Sequence, residues 1–380
     1  MFIKHSYPSI NQTTFKALST VLRSGYIAQG KIVKRFEQEV VKYSKGKNIN
    51  AIAVNSGSSA LHLALLSLGV STKDEVIIPS YVCSAVLNAV NYTDAKPIIA
   101  DINDYDLNLN IQSVKNKITK RTRAIIVSHL FGFPAEIDKF LSLKIPIIED
   151  CAQSIGATYK NNHLRHPPAP SRTDGVGNRI RAGSSEQVGT FGKLAVFSFY
   201  ATKMLTTGYG GMIISKDKKL VNYIRDLINY DNRDNYIQRY NYQMSDISAA
   251  LGISQLNQLD RFIHRRREIA LQYTQTLQSL KIPSLILPKE QPNTKSIFYR
   301  YVIRHPAADE IILQLNRCGI ETKHPIYKPL HHYLKLNNKD FPVTEKNYRA
   351  TISIPIYPSL TNKQINYITH TLFKILKRLK

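Results

Sequence analysis

Three cysteines, Cys83, Cys151 and Cys318, are all that a chain of 380 residues contains. They are scattered and odd in number, which argues against a disulfide framework and offers no zinc-ligand spacing; no metal is expected. Such usage suits a reducing cytosol, and the cytoplasm is the expected location. Long apolar runs are missing too. The longest mostly apolar stretches, such as Ala124 to Phe133, are too short to span a bilayer. Met1 to Pro8 holds no apolar core region, so no signal peptide is expected. Internal repeats are absent. Acidic residues are few: 27 Asp and Glu stand against 52 Lys and Arg, for a formal charge of +25. A composition rich in Lys, Asn and Ile accounts for part of that excess, and attraction to an anionic substrate is a second reading. A third is nucleic-acid or membrane-surface binding, suggested by the basic run Arg261 to Arg267. That run continues into Glu268 to Tyr273 with helical spacing, so it reads as a solvated helix face, and no nucleic-acid partner is expected.

What is present is an ordinary globular composition, 43% hydrophobic, on a chain long enough for two lobes. Apolar runs at Ala51 to Val54, Glu75 to Pro79, Pro97 to Ala100, Ala124 to Val127 and Pro146 to Glu149 read as strands. Amphipathic segments at Thr14 to Leu22, Lys34 to Tyr43, Ala60 to Leu68, Ala85 to Val90 and Ile137 to Leu141 read as helices. This alternation predicts an α/β fold, a mostly parallel sheet sandwiched by helices. Ser245 to Leu280 reads as one long helical stretch crossing to a smaller C-terminal α/β lobe, with strand-like Phe298 to Ile303 and helix-like Asp309 to Arg317. The predicted division is a large domain, 1–255, and a small one, 256–380.

Chemistry concentrates at Lys203. The apolar run Leu194 to Phe199 leads into it, and the turn Gly208-Tyr209-Gly210-Gly211 leads out. A lysine held between buried elements has a lowered pKa and a nucleophilic amine, able to form a Schiff base with a carbonyl compound or with pyridoxal phosphate. Asp150 ends the buried run Ile147 to Glu149, where it would keep a pyridine nitrogen protonated; Gln153 would reach the ring hydroxyl. Asn55 to Leu65 reads as a Gly/Ser turn opening a helix, a site for phosphate.

In order along nearly the whole chain, these pieces resemble the DegT/DnrJ/EryC1/StrS family of sugar aminotransferases, enzymes of the fold-type I pyridoxal-phosphate class. Asn55 to Leu65 is similar to the family's NSGTAALHLAL, Asp74 to Tyr81 to its DEVI-x-PSY, Glu149 to Gln153 to EDAAQ and Phe197 to Lys203 to FSFYPTK. Tyr240 to Tyr242, Lys323 to His331 and Ser353 to Pro358 match its GYNYR, RP-x-x-KPLH and SLPIYP segments. The resemblance implies pyridoxal 5'-phosphate as cofactor, Lys203 as the lysine that bonds it and shuttles the proton, and Asp150 at its ring nitrogen. It implies Gln153 at the ring hydroxyl, and Gly57, Ser58, Ser59 and Ser198 around the phosphate. It implies a homodimer in which Asn241 reaches the partner's cofactor, with Lys323 and His331 near the sugar or nucleotide. The implied reaction is transfer of an amino group from glutamate to a keto sugar, nucleotide-linked, for a surface glycan such as lipopolysaccharide.

The chain departs from the family in several places. Cys83 stands where an aromatic ring usually stacks on the cofactor, and Tyr81 is the nearest ring in sequence. Tyr209, Arg239, Gln243 and Lys193 replace an acid, a glycine, an arginine and an acid. The segment 165–188 has no lysine and is rich in Arg, Pro, Gly and Ser, and reads as an inserted surface loop. A sugar dehydratase of the same fold would carry histidine at Lys203. A catalytically silent pyridoxal-phosphate-binding or regulatory homologue is the remaining alternative.

Overall fold

The predicted alternation resolves into a seven-stranded sheet in the computed structural model, which describes residues 1–160 and 185–379. Its first strands are β1 (Asn50–Val54), β2 (Glu75–Pro79), β3 (Lys96–Ala100), β4 (Thr122–Ser128) and β5 (Ile147–Asp150). Two short strands, β6 (Thr158–Tyr159) and β7 (Glu186–Gln187), pair outside it, and β8 (Leu194–Ser198) and β9 (Gly211–Ser215) complete it. The order is β1-β9-β8-β5-β4-β2-β3. β2, β3, β4, β5 and β8 are mutually parallel, as expected; β9 runs antiparallel to both β8 and β1. The reversal has a local cause. The chain returns from Ser198 to Gly211 through a loop with no crossover helix, and a return without a crossover gives an antiparallel pair. Both faces of the sheet are covered, with Ala51 and Ala53 in one apolar core and Ile52 and Val54 in the other.

A third core belongs to the C-terminal part. After β10 (Thr294–Lys295), which pairs with β6, β11 (Tyr301–Arg304) pairs antiparallel with β12 (Thr351–Ile354). The helices Ala308–Arg317 and Asn362–Arg378 cover this pair through Ile311, Leu315, Ile368 and Leu372.

Several boundaries differ from the sequence reading. Ser245 to Leu280 is two helices, Asp246–Leu256 and Leu259–Gln278, broken at Asn257 and Gln258. The first packs on the helices Gln12–Ser24 and Lys31–Ser44. The second begins in the large core with Leu259 and Ile263 and ends in the small one with Ile269, Tyr273 and Leu277. Ile3 belongs to the small lobe, not to the large domain: it is fully buried there and exchanges backbone bonds with Gly319 and Glu321. The strand expected from Phe298 starts at Tyr301, because Phe298 sits at φ 47°, a left-handed conformation no strand accepts. The proposed insertion is shorter than 165–188: Glu186 and Gln187 pair with Tyr159 and Thr158, and Val188 is buried in the large core. Its remainder, 165–184, lies outside the described residues. The basic run is not wholly a solvated face either. Arg266 is buried, and its Nη1 donates to the carbonyls of Phe298, Tyr299 and Ile356.

Candidate active site

Lys203, Asp150, Gln153, Gly57, Ser58 and Ser198 line one cavity of about 250 Å³. They come from three strand ends. β5 ends at Asp150, β8 at Ser198, and the turn after β1 opens the helix Gly57–Ser67. Carboxyl ends of parallel strands, where loops and helix starts converge, are where α/β sheets place ligands.

The turn after β1 packs tightly against the lysine loop. A side chain at Gly211 would put its Cβ 2.3 Å from the Ser56 carbonyl oxygen, and one at Gly57 would lie 2.8 Å from the Ser198 Cβ. Ser56 caps the helix by accepting from the Ser59 N–H. The first intrahelical donor is Ala60, so the N–H groups of Gly57 and Ser58 precede the helical ladder at the cavity wall. Ser59, expected at the phosphate, does not line the cavity: its hydroxyl donates to Asn55 Oδ1 at 2.7 Å.

Asp150 is held from two sides. The Ser128 hydroxyl donates to Oδ2 at 2.9 Å and the Ala152 N–H to Oδ1 at 3.0 Å. Gln153 Oε1 accepts from the Phe131 N–H at 2.9 Å. Behind Asp150 lies an anchor that the sequence reading missed. Glu149 is fully buried and accepts the N–H groups of Gly189, Phe191 and Gly192 and a bond from His129 Nε2 at 3.1 Å. The Ala135 N–H donates to His129 Nδ1, which puts the ring proton on Nε2, facing Glu149. Burial alone would raise the Glu149 carboxyl; the His129 bond and the Gly192 and Gly189 amides outweigh it and hold it below the usual range. Cys151 lies beside this pair in a buried His129–Glu149–Cys151 group, in which these bonds occupy both ring nitrogens and both carboxylate oxygens.

The mouth is aromatic and exposed. Tyr200 and Tyr209 line it, edge to face with ring centroids 5.3 Å apart, and Tyr209 is 70% exposed. Cys83 lines the cavity at the family's stacking position. Tyr81 does not replace that ring: it is buried outside the cavity lining, with its hydroxyl 2.6 Å from Thr351 Oγ1. The other departures serve the scaffold. Lys193 pairs with Asp217, Arg239 with Asp226, and Gln243 Nε2 donates to the Ile228 carbonyl.

The expected substrate residues are not together at this cavity. His331 is fully buried, 2.5 Å from Ser80 Oγ through Nδ1 and 3.0 Å from Glu345 through Nε2, and stacked on Phe341. It is not a cavity group. Lys323 is exposed, with Glu321 at 3.8 Å. Asn241 is exposed, and its carbonyl accepts from Asn55 Nδ2. A larger cleft of about 890 Å³ lies between the helix Leu259–Gln278 and residues 281–290, and none of the groups above lines it.

The profile of the DegT/DnrJ/EryC1/StrS aminotransferase family matches residues 8–373. The chain belongs to that family. It is 32% identical over 387 residues to a GDP-perosamine synthase of Escherichia coli O157:H7, covering 96% of each chain. It is 32% identical over 375 residues to a dTDP-3-amino-3,4,6-trideoxy-alpha-D-glucose transaminase of Streptomyces venezuelae, covering 95% of this chain and 92% of that one. Among solved structures it is similar to S. venezuelae DesV in complex with a ketimine intermediate, with TM-score 0.85, 30% identity and coverage of 97% and 95%. The chain is thus a sugar transaminase, with the parallel-sheet fold of pyridoxal-phosphate enzymes.

Proposed function

We propose that the cavity holds pyridoxal 5'-phosphate and that an amino group passes there from glutamate to a keto sugar carried on a nucleotide. The observation that carries this reading is the convergence of one lysine, one fixed carboxylate and one helix start on a single cavity. That donor set fits the cofactor's aldehyde, ring nitrogen and phosphate. When bound, the cofactor supplies an electron sink next to the carbon that loses its proton.

The chain's own residues divide the remaining work. Lys203 would hold the cofactor's aldehyde and would carry the proton between the substrate carbon and the cofactor. Asp150, fixed by Ser128 and Ala152, holds its charge at the ring nitrogen without reorganising during the reaction. Gln153, its Oε1 tied to Phe131, directs its amide at the ring hydroxyl. Gly57, Ser58 and Ser198 receive the phosphate at the helix start. Ser59 holds Asn55 instead.

The nucleotide link draws its support from the GDP and dTDP sugars in the relatives' names, and from an excess of positive charge suited to a diphosphate. A homodimer with Asn241 at the partner's cofactor, and a location in the cytoplasm, belong to the same reading. Among the described residues no helix is long and apolar enough to cross a membrane. The division into two domains near residue 255 is part of it as well, with Ile3 counted to the smaller lobe. The test is a panel of GDP- and dTDP-linked keto sugars incubated with glutamate, following 2-oxoglutarate. Release that depends on one of the sugars is expected. No release with any sugar, from a protein whose visible cofactor band does not bleach with glutamate, would favour the silent homologue.

A further inference from the structure

A buried tyrosine stands beside the reactive lysine, and its surroundings are unusual in charge. Lys203 Nζ lies 5.2 Å from the centre of the Tyr299 ring, and the Arg300 guanidinium carbon lies 4.9 Å from it. Arg300 Nη2 donates to the phenol oxygen at 3.4 Å, and Thr202 Oγ1 is 3.3 Å away. Arg266, on the helix Leu259–Gln278, holds the Tyr299 carbonyl at 3.0 Å. Two cations, Lys203 and Arg300, therefore face one ring, and a third, Arg266, holds its backbone. Among the described residues, none of the three forms an ion pair with a carboxylate. The next titratable group outward is His5, which accepts from Arg300 Nη1 at 2.6 Å. Burial, then Arg300 and Lys323, hold His5 far below its ordinary pKa, so it stays neutral and brings no counter-charge.

The ring is also fixed in place. Residues 296–300 are clamped by backbone bonds from Ile297 N–H to the Gly132 carbonyl and from Arg300 N–H to the Phe131 carbonyl. A side chain at Gly132, whose φ is +91°, would strike the Tyr299 nitrogen at 2.8 Å. A group this constrained is preorganised, and the lysine amine is the mobile partner.

We propose that Tyr299 is the positioning residue of Lys203, holding its amine over the ring face and supplying the negative charge that this cluster of cations otherwise lacks. The proposal rests on the reading of Lys203 as the reactive lysine. Burial opposes a phenolate, but Lys203, Arg300, the Thr202 bond and Arg266 outweigh it and bring the phenol down to about 7. With its phenol brought down, Tyr299 places negative charge beside the Lys203 amine and steadies it where the proton is handed on.

The test is carbon-13 NMR of the full-length protein labelled at the tyrosine ring carbon that bears oxygen, with and without cofactor. The resonance missing from Tyr299→Phe identifies Tyr299. It should titrate with a midpoint near pH 7, about three units below an ordinary tyrosine. Lys203→Met, which removes the amine and keeps its bulk, should move that midpoint up by at least about one unit. A Tyr299 signal that titrates only with the bulk tyrosines, or that ignores Lys203→Met, overturns the proposal. Because the readout needs no turnover, it stands apart from the transamination assay: a normal tyrosine in an active transaminase defeats only this inference.

Discussion

The floor of the cavity and its mouth are built by opposite rules. On the floor the carboxylates and the amide are tied down: Asp150 has Ser128 and Ala152, Gln153 has Phe131, and behind them Glu149 has His129 and three amides. At the mouth, Tyr209 is 70% exposed and Cys83 leaves a stacking position unfilled. The floor matches the family's motifs almost residue for residue, while the departures gather at the mouth and in the scaffold behind it. The difference separates the chemistry, which needs fixed charge, from the choice of sugar, which needs variable shape.

Breaking the floor should have the largest effect. Lys203→Ala should lower 2-oxoglutarate release by at least about a thousandfold and abolish cofactor attachment, with the unfolding transition unchanged. A variant that still transaminates at the original rate would remove Lys203 from the mechanism. Asp150→Asn should come next, with a loss on the order of a hundredfold in rate. Cofactor content should fall far less, because the amide keeps the shape and loses the charge. Equal activity would mean that Asp150 is not the ring partner.

The anchor beneath the floor should register in stability. Glu149→Gln should cost about 2 kcal/mol in urea unfolding at neutral pH, the scale of a hydrogen bond to a charged group. The folded-state pKa of Glu149 is depressed, so its contribution is complete above the ordinary glutamate value and drains away as pH falls through the folded one. The gap between wild type and variant should therefore close in acid, and a gap that stays constant with pH would refute the charged anchor. The mouth should give the smallest change. Tyr209→Ala should leave cofactor bleaching by glutamate as it was and alter the KM for the sugar by up to about tenfold. An equal effect on both half-reactions would erase the contrast between floor and mouth.

The fold, and the meeting of Lys203 and Asp150 at one cavity, were legible because they follow local rules. Buried runs ending in Asp150 and Ser198, and a Gly/Ser turn opening a helix, are patterns of a few adjacent residues. The features missed depend on distant chain segments. Tyr299 lies 96 positions from Lys203 and has no motif of its own. His331 is withdrawn from the cavity by Ser80, Glu345 and Phe341, the first of them 251 positions away. Glu149 stands within a recognisable segment, but only its bonds to His129 and the Gly189 amide reveal that it is a support and not a reactive group. The break at Asn257 was hidden because both flanking helices carry apolar spacing through it.

The placement of the N-terminus bears on how the molecule is made. Ile3 is buried against residues near 320, and His5 Nε2 meets Ser353 Oγ at 2.9 Å, a separation of 348 positions. A ribosome releases Ile3 and His5 long before those partners exist. The large sheet can close while Ile3 and His5 wait unpaired, and the small lobe is sealed only when residues up to Ser353 have emerged. Closing the small lobe thus stitches a late-made segment to one made more than three hundred residues earlier.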